Sequence, residues 1–126
     1  MMKNLSLLII TVLALSITVI GGCSSVIIKQ APIHEVSISI AESYPPQVFV
    51  YIKGGLADSC TSFHELSIER SGNTITISVT TERNKDKSCA QVYGFFERNI
   101  NLDSDFISGE VYTVKVNDET VDFTMP

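Results

Sequence analysis

Hydrophobic and polar residues alternate with a period of two over most of the chain beyond residue 34. The stretches with this alternation are residues 35–41, 47–53, 63–70, 74–81, 110–116 and 120–125. Successive side chains of a strand point to opposite faces, so the alternation predicts half-buried strands, and the aromatic-rich residues 90–102 are predicted as a further strand. About seven short strands without a helical period predict an all-β fold, an immunoglobulin-like antiparallel sandwich of two sheets.

Turn-forming residues separate the predicted strands. Ser71-Gly72-Asn73 predicts a tight hairpin turn, because glycine and asparagine tolerate the positive φ that such turns need. Asn117-Asp118 predicts a second two-residue turn, so that the domain ends on a hairpin. Gly54-Gly55 is predicted to end the strand that starts at residue 47.

The first 23 residues have a different pattern. Lys3 is followed by an almost wholly apolar run, Leu5 to Ile20, and by two glycines. This layout predicts a secretory signal peptide with a helical apolar region over residues 1–22. The segment Ile20-Gly21-Gly22-Cys23 resembles the bacterial lipobox, in which the cysteine thiol accepts a diacylglyceryl group. The resemblance implies that Cys23 is lipidated and becomes the mature N-terminus.

Two other interpretations of this apolar run remain open: an uncleaved membrane anchor, and an ordinary signal peptide that a cysteine happens to follow. Sixteen helical residues span about 24 Å, which is shorter than the roughly 30 Å hydrocarbon core of a bilayer. We therefore predict a signal peptide over 1–22, a lipidated N-terminus with a short tether over 23–34, and an Ig-like domain over 35–126.

The position of the lipid predicts the localisation. Cys23 would hold the domain at the extracytoplasmic face of a membrane of the cell envelope. In a cell with two membranes we expect the outer one, since Ser24 is not the acidic residue that usually signals retention.

The charge of the mature chain limits its partners. Removing residues 1–22 removes one basic residue, Lys3, which leaves eight basic residues against 14 acidic ones and a net charge of −6. A mildly acidic surface disfavours nucleic acid and anionic lipid as partners. The predicted partners are the membrane, through the lipid on Cys23, and an envelope protein.

Two cysteines remain once Cys23 is set aside. Cys60 and Cys89 form an even pair in an exported chain, and an oxidising compartment favours a disulfide between them. The alternative is a metal site that also includes His64, four residues after Cys60. That spacing suits a helix, whereas the segment after Cys60 is predicted as a loop leading into a strand, so neither a metal nor any other cofactor is predicted.

No set of catalytic residues stands out. Asp58, Ser62 and His64 could form a triad, but residues so close in sequence rarely converge on one site. Asp103 and Asp105 could be a calcium pair, although a turn with self-capping aspartates accounts for them. The prediction is a protein that is not an enzyme and has no catalytic residue.

Tyr44, Tyr93, Phe95 and Phe96 could form an exposed contact surface, although such residues more often fill a sandwich core. Phe95 and Phe96 are adjacent, so on a strand they point to opposite faces and one of them faces outward. The loops 56–62, 82–89 and 103–109 are further candidates, because loops at the ends of a sandwich commonly carry contacts.

Three stretches carry a resemblance to a known class of domains. They are Gly55 to Thr61, the hairpin from Arg70 to Ile77 with Cys89, and Gly109 to Asn117. Residues 35–126 thereby resemble uncharacterised secreted or lipid-anchored immunoglobulin-like domains from bacteria. The resemblance implies a β-sandwich and a Cys60–Cys89 bridge, and it implies no activity. Chagasin-like protease inhibitors are also small exported Ig-type domains, but their Arg-Pro-Trp loop segment is absent here.

The predicted function is that of a non-enzymatic, lipid-anchored binding or accessory module of the cell envelope. A secreted inhibitor of a hydrolase is the alternative, and it requires an exposed, rigid loop. A small extracytoplasmic enzyme is the further alternative.

Overall fold

The computed structural model describes residues 25–126, and every regular element in that range is a β-strand. The eight strands, in chain order, are β1 (Val26–Gln30), β2 (Ile33–Ala41), β3 (Gln47–Leu56), β4 (Thr61–Ser71), β5 (Thr74–Asn84), β6 (Gly94–Asn101), β7 (Val111–Val116) and β8 (Glu119–Thr124). Over residues 25–126 there is no helix long and apolar enough to cross a membrane.

The strands form two sheets. The larger sheet has the order β1-β5-β7-β8, with β4 on the other side of β5, and the smaller sheet has the order β2-β3-β6. All pairings are antiparallel except the one between β5 and β7. The predicted all-β, two-sheet sandwich is confirmed, with eight strands where the sequence predicts about seven.

The core lies between the two sheets and is built from the strand faces that the alternation predicts. The side chains of Val48, Val50 and Ile52 on β3 are fully buried. They face the core with alternate residues of β5 and β7, namely Ile75, Ile77, Val79, Tyr112, Val114 and Val116. The outward residues between them are mostly polar, which is why each strand shows a period of two.

The additional strand is β1, which lies within the predicted tether. We predict a tether over 23–34, yet Val26–Gln30 pair in register with β5, from Asn84 to Thr80, and β2 already begins at Ile33. The tether prediction is therefore wrong for residues 26–34, because Val26-Ile27-Ile28 is β-branched and apolar and completes the larger sheet. The predicted signal peptide, residues 1–22, and Cys23 lie outside the described residues.

Gly54 and Gly55 do not end a strand as predicted, because β3 continues to Leu56. The ring of Phe96 covers Gly54, and the side chains of Tyr93 and His34 cover Gly55. A Cβ at either position would overlap these side chains. The two glycines therefore leave room for aromatic rings on both faces of the smaller sheet.

The sandwich has two distinct ends. At the disulfide end, residues 25, 57–60 and 85–93 lie together, because β5 ends there, β4 and β6 begin there, and Leu56 pairs with Gly94. At the far end lie residues 42–46, 72–73 and 102–110. Two of the predicted contact loops, 56–62 and 82–89, thus lie together, and the third, 103–109, lies at the opposite end.

Asn117 joins β1 to β7 along the same side of β5. Its side-chain Oδ1 accepts the N–H of Val79 at 2.9 Å, and its Nδ2 donates to the carbonyls of Ala31 at 2.8 Å and Val79 at 2.9 Å. Strand β7 pairs with the first half of β5 and β1 pairs with the second half, so this amide fills the gap between them. The backbone of Asn117 has a φ of 51°, which asparagine tolerates well among residues other than glycine.

Candidate functional site

A disulfide joins the two loops at one end of the sandwich. Cys60 and Cys89 are bonded to each other, with their Cα atoms 5.6 Å apart. Beside the bridge, Ser59 Oγ accepts the backbone N–H of Ala90 at 2.9 Å, and the N–H of Ser59 donates to the Ala90 carbonyl at 3.1 Å. The loop before β4 and the loop before β6 are therefore held as one unit.

A buried carboxylate supports this unit. Asp58 is 8% exposed, and its Oδ2 accepts from Arg83 Nε at 2.6 Å. Its Oδ1 accepts from the hydroxyl of Thr61 at 2.8 Å and from the N–H of Cys60 at 3.0 Å. The hydrogen bond from Arg83, followed by the one from Thr61, lowers the pKa of Asp58 below its ordinary value of 3.8.

We expect the substitution Asp58→Asn to weaken the dependence of stability on acid pH. A carboxyl whose pKa is lowered by folding stabilises the protein above its unfolded pKa, and that stabilisation is lost as the pH falls through the folded pKa. The urea midpoint of the native protein should therefore fall as the pH is lowered below the ordinary pKa of 3.8, and that of the variant should fall less steeply. Asp86→Asn, in the exposed loop next to the bridge, is the matched control, and an equal slope in all three proteins would contradict the assignment.

The residues around the disulfide bear on two alternatives that the sequence leaves open, a metal site and a catalytic triad. The ligand atoms of Asp58, Cys60 and Cys89 lie within 4.8 Å of one another. Metal binding needs free thiolates, whereas here the two sulfurs are bonded to each other and Asp58 faces Arg83. His64 bonds Thr80 instead, with Nδ1 and Oγ1 at 2.9 Å. The structure thus gives Asp58 and His64 different partners and does not assemble them into a triad.

The aspartates 103 and 105 lie in the connection that follows β6. Asp103 has a φ of 66°, and its backbone N–H donates to the side-chain Oδ1 of Asn101 at 2.7 Å. A capped turn with a left-handed residue is the arrangement found at Asp103.

A cleft of about 270 Å³ opens between β1 and the loop that carries Asp58. Its walls are mainly apolar, with Ile27 and Pro32 on one side and Ala57 on the other, and Lys29 and Arg83 add two cationic groups. Arg83 lines the cleft and also bonds Asp58 through its Nε, so the cleft adjoins the disulfide end.

An aromatic cluster lies on the outer face of the smaller sheet, and we define it as His34, Tyr93 and Phe95. The three rings meet edge to face, with the His34 and Phe95 centroids 5.5 Å apart and the Tyr93 and Phe95 centroids 5.3 Å apart. The Tyr93 hydroxyl is hydrogen-bonded to His34 Nε2. Phe95 is 54% exposed, whereas its neighbour Phe96 is buried in the core. One phenylalanine of the pair thus faces outward, as the sequence predicts.

Polar groups surround the cluster. Lys53 Nζ lies 4.5 Å from the centroid of the Phe95 ring, which is a cation–π contact. Further along the same face, Tyr51 donates its hydroxyl to Glu97 Oε1 at 2.7 Å. That hydrogen bond is the main cause that raises the pKa of Tyr51 to about 12, so the phenol stays protonated and remains a donor. The face combines exposed aromatic surface with fixed polar groups, as protein-binding surfaces do.

His34 is the member of this site that sequence reasoning missed. It is the last residue of the predicted tether, whereas the structure has it in β2, at a register shift between Ile33 and Glu35. The one available signal was Gly55, because a glycine within a strand often marks the close approach of another group.

The comparisons with known proteins concern the sandwich domain. The sequence model of the ORF11 beta-sandwich domain matches residues 50–125. No solved structure matches the chain at a significant level.

Several relatives come from Herpetosiphon aurantiacus. The chain is similar to an uncharacterized 10.2 kDa protein in the HgiCIIM 5' region, with 49% identity over 86 residues, which is 68% of this chain and 90% of the relative. It is also similar to uncharacterized 10.2 kDa proteins in the HgiBIM and HgiEIM 5' regions, each with 50% identity over 76 residues, 60% of this chain and 92% of the relative. The chain therefore belongs to the ORF11 beta-sandwich domain family.

Proposed function

We propose that this protein is a lipid-anchored, non-enzymatic binding module of the cell envelope, and that the aromatic cluster is the centre of its binding surface. The observation that carries the proposal is the exposure of Phe95 and Tyr93 on a sheet face that no other described strand covers. Aromatic side chains exposed together are enriched at protein interfaces, because they bury a large area with little loss of conformational entropy.

The lipid anchor rests on the lipobox-like segment that ends at Cys23. A lipidated cysteine carries two or more acyl chains, which are enough for stable attachment to a membrane. The partner we propose is a protein of the same envelope, since the acidic mature chain disfavours nucleic acid.

The absence of enzymatic activity is part of the proposal. Asp58, the buried acid, is held by Arg83, and the histidine nearest to it in sequence, His64, is bonded to Thr80. The two groups therefore have different partners, and they do not form an acid–base pair.

Site-specific photo-crosslinking in intact cells tests the binding surface. Benzoylphenylalanine replaces Phe95 in one version of the full chain and Val111 in another. Val111 is the matched control, because it has the same 54% exposure but lies on β7, in the other sheet. We expect one cross-linked protein of defined mass from position 95 and none from position 111.

Two measurements on the same cells separate the parts of the proposal. An intact mass that lacks added lipid, or that retains residues 1–22, contradicts the anchor. A lipidated protein that cross-links equally from both positions, or from neither, contradicts the aromatic cluster as the binding surface.

A further inference from the structure

The chain reaches the predicted lipid anchor from one particular end of the sandwich. The carbonyl of Ser25 accepts the backbone N–H of Lys85 at 2.7 Å, and β1 begins at the next residue. Cys23 is two residues before Ser25, and two residues span at most about 7 Å. A lipid on Cys23 would therefore enter the membrane close to the disulfide end.

The far end would lie well away from that membrane. Strand β5 has 11 residues and runs from the far end to the disulfide end. At roughly 3.3 Å per residue it is about 35 Å long. A tether of two residues cannot turn the sandwich over, since the far end is several tether lengths from Ser25.

The charges of the two ends differ in the direction that a membrane surface would favour. The far-end loops, residues 42–46 and 102–110, carry four acidic residues, Glu42, Asp103, Asp105 and Glu110. The one basic group beside them in the described residues is Arg70, whose guanidinium lies over the Phe106 ring. At the disulfide end, loop 85–93 carries Lys85 and Lys87 against Asp86, and the remaining acid, Asp58, is paired with Arg83. Lysines at a membrane surface extend their ammonium groups to the lipid phosphates, whereas clustered carboxylates are repelled by them.

The disulfide end also exposes an apolar side chain in the same loop as these lysines. Val92 is 64% exposed. Aliphatic side chains are favoured at the boundary between headgroups and acyl chains. The surface is small, so it would orient the domain rather than attach it, and the lipid would supply the attachment.

We propose that loop 85–93 rests on the headgroup layer of the membrane that holds the lipid anchor, so that the sandwich stands upright with its far end outward. This inference rests on the proposed lipid anchor. The disulfide end contacts the headgroups of a zwitterionic lipid surface. This orientation also leaves loop 103–109 as the part of the domain that is farthest from the membrane.

Single tryptophans test the orientation, because the chain contains none of its own. Val92→Trp places the probe in the loop at the disulfide end, and Ile107→Trp is the matched control, since the two residues are 64% and 65% exposed. Each full chain is produced in cells, purified with its lipid and reconstituted in phosphatidylcholine vesicles with brominated or unmodified acyl chains. We expect brominated chains to reduce the emission of Trp at position 92 about twofold and to leave that at position 107 unchanged.

The outcomes separate this inference from the proposed function. A purified protein without added lipid overturns both the anchor and the orientation. A lipidated protein whose tryptophan at position 92 is not quenched, or is quenched no more than the one at 107, overturns the orientation alone. If Val92→Trp does not fold, Gln91→Trp places the probe in the same exposed loop without removing a lysine, and the same quenching is expected there.

Discussion

Replacing Cys60 and Cys89 together by alanine is expected to lower the free energy of unfolding by about 3–4 kcal/mol. The bridge joins residues 29 apart in sequence. A cross-link removes conformations from the unfolded chain, and a loop of about 30 residues gives the figure above on the chain-entropy estimate. That is a large share of the stability of a domain of this size, which is commonly about 5–15 kcal/mol.

The position of the bridge makes a loss of this size reasonable. The residues between the two cysteines include the whole hairpin of β4 and β5. At this end the chain crosses from β3 in the smaller sheet to β4 in the larger one, and it returns from β5 to β6. The salt bridge of Asp58 with Arg83 lies directly beside the disulfide, with Arg83 Nη2 3.4 Å from the sulfur of Cys89. Loss of the bridge would therefore also loosen the loops that hold this ion pair in place.

Urea unfolding under oxidising and reducing conditions measures the effect. Reductant should lower the midpoint of the native protein to that of the double variant, and it should not change the variant. Ser88→Ala, which removes a polar side chain next to Cys89 without removing the bridge, is the matched control and should resemble the native protein. If reductant does not change the native midpoint, the bridge does not contribute to stability.

The strands of the sandwich could be predicted from the sequence because burial of one strand face requires an apolar residue at every second position. Ile75, Ile77 and Val79 face the core as predicted, and the outward residues between them are polar. Strand β1 could not be recognised in this way. Its five residues are too few to show a period, and its place beside β5 depends on the space that the shorter β7 leaves free.

The candidate site depends on topology, so only part of it could be predicted. The outward position of Phe95 follows from its adjacency to Phe96. The partnership of His34 with Tyr93 joins residues that are 59 positions apart, and it exists only because β3 lies between β2 and β6 in the smaller sheet. The interpretation of Gly54-Gly55 as the end of a strand was wrong for the same reason, because the rings that cover these glycines come from β2 and from the segment at the start of β6.

Asn117→Ala is expected to lower the free energy of unfolding by about 3 kcal/mol. The substitution removes the side-chain groups that, within residues 25–126, bond the Val79 backbone and the Ala31 carbonyl at the junction of β1 and β7. Each partly buried backbone group left without its partner costs about 1 kcal/mol or more, and alanine at a φ of 51° adds about 1 kcal/mol of backbone strain.

Asn117→Gly is the control that separates the two causes. Glycine adopts a positive φ without strain, so this variant should lose only the hydrogen-bonding part, about 2 kcal/mol. Chemical denaturation gives the total loss, and hydrogen exchange at the amides of β1 shows where it falls. We expect faster exchange in β1 than in β8 in both variants, because Asn117 bonds the residue that follows β1, whereas β8 keeps its full pairing with β7. Equal stability of the alanine variant and the native protein would contradict this role for Asn117. In the proposed upright orientation, β1 is the sole connection between the lipid and the sandwich, so the same amide would also keep the domain at a fixed distance from the membrane.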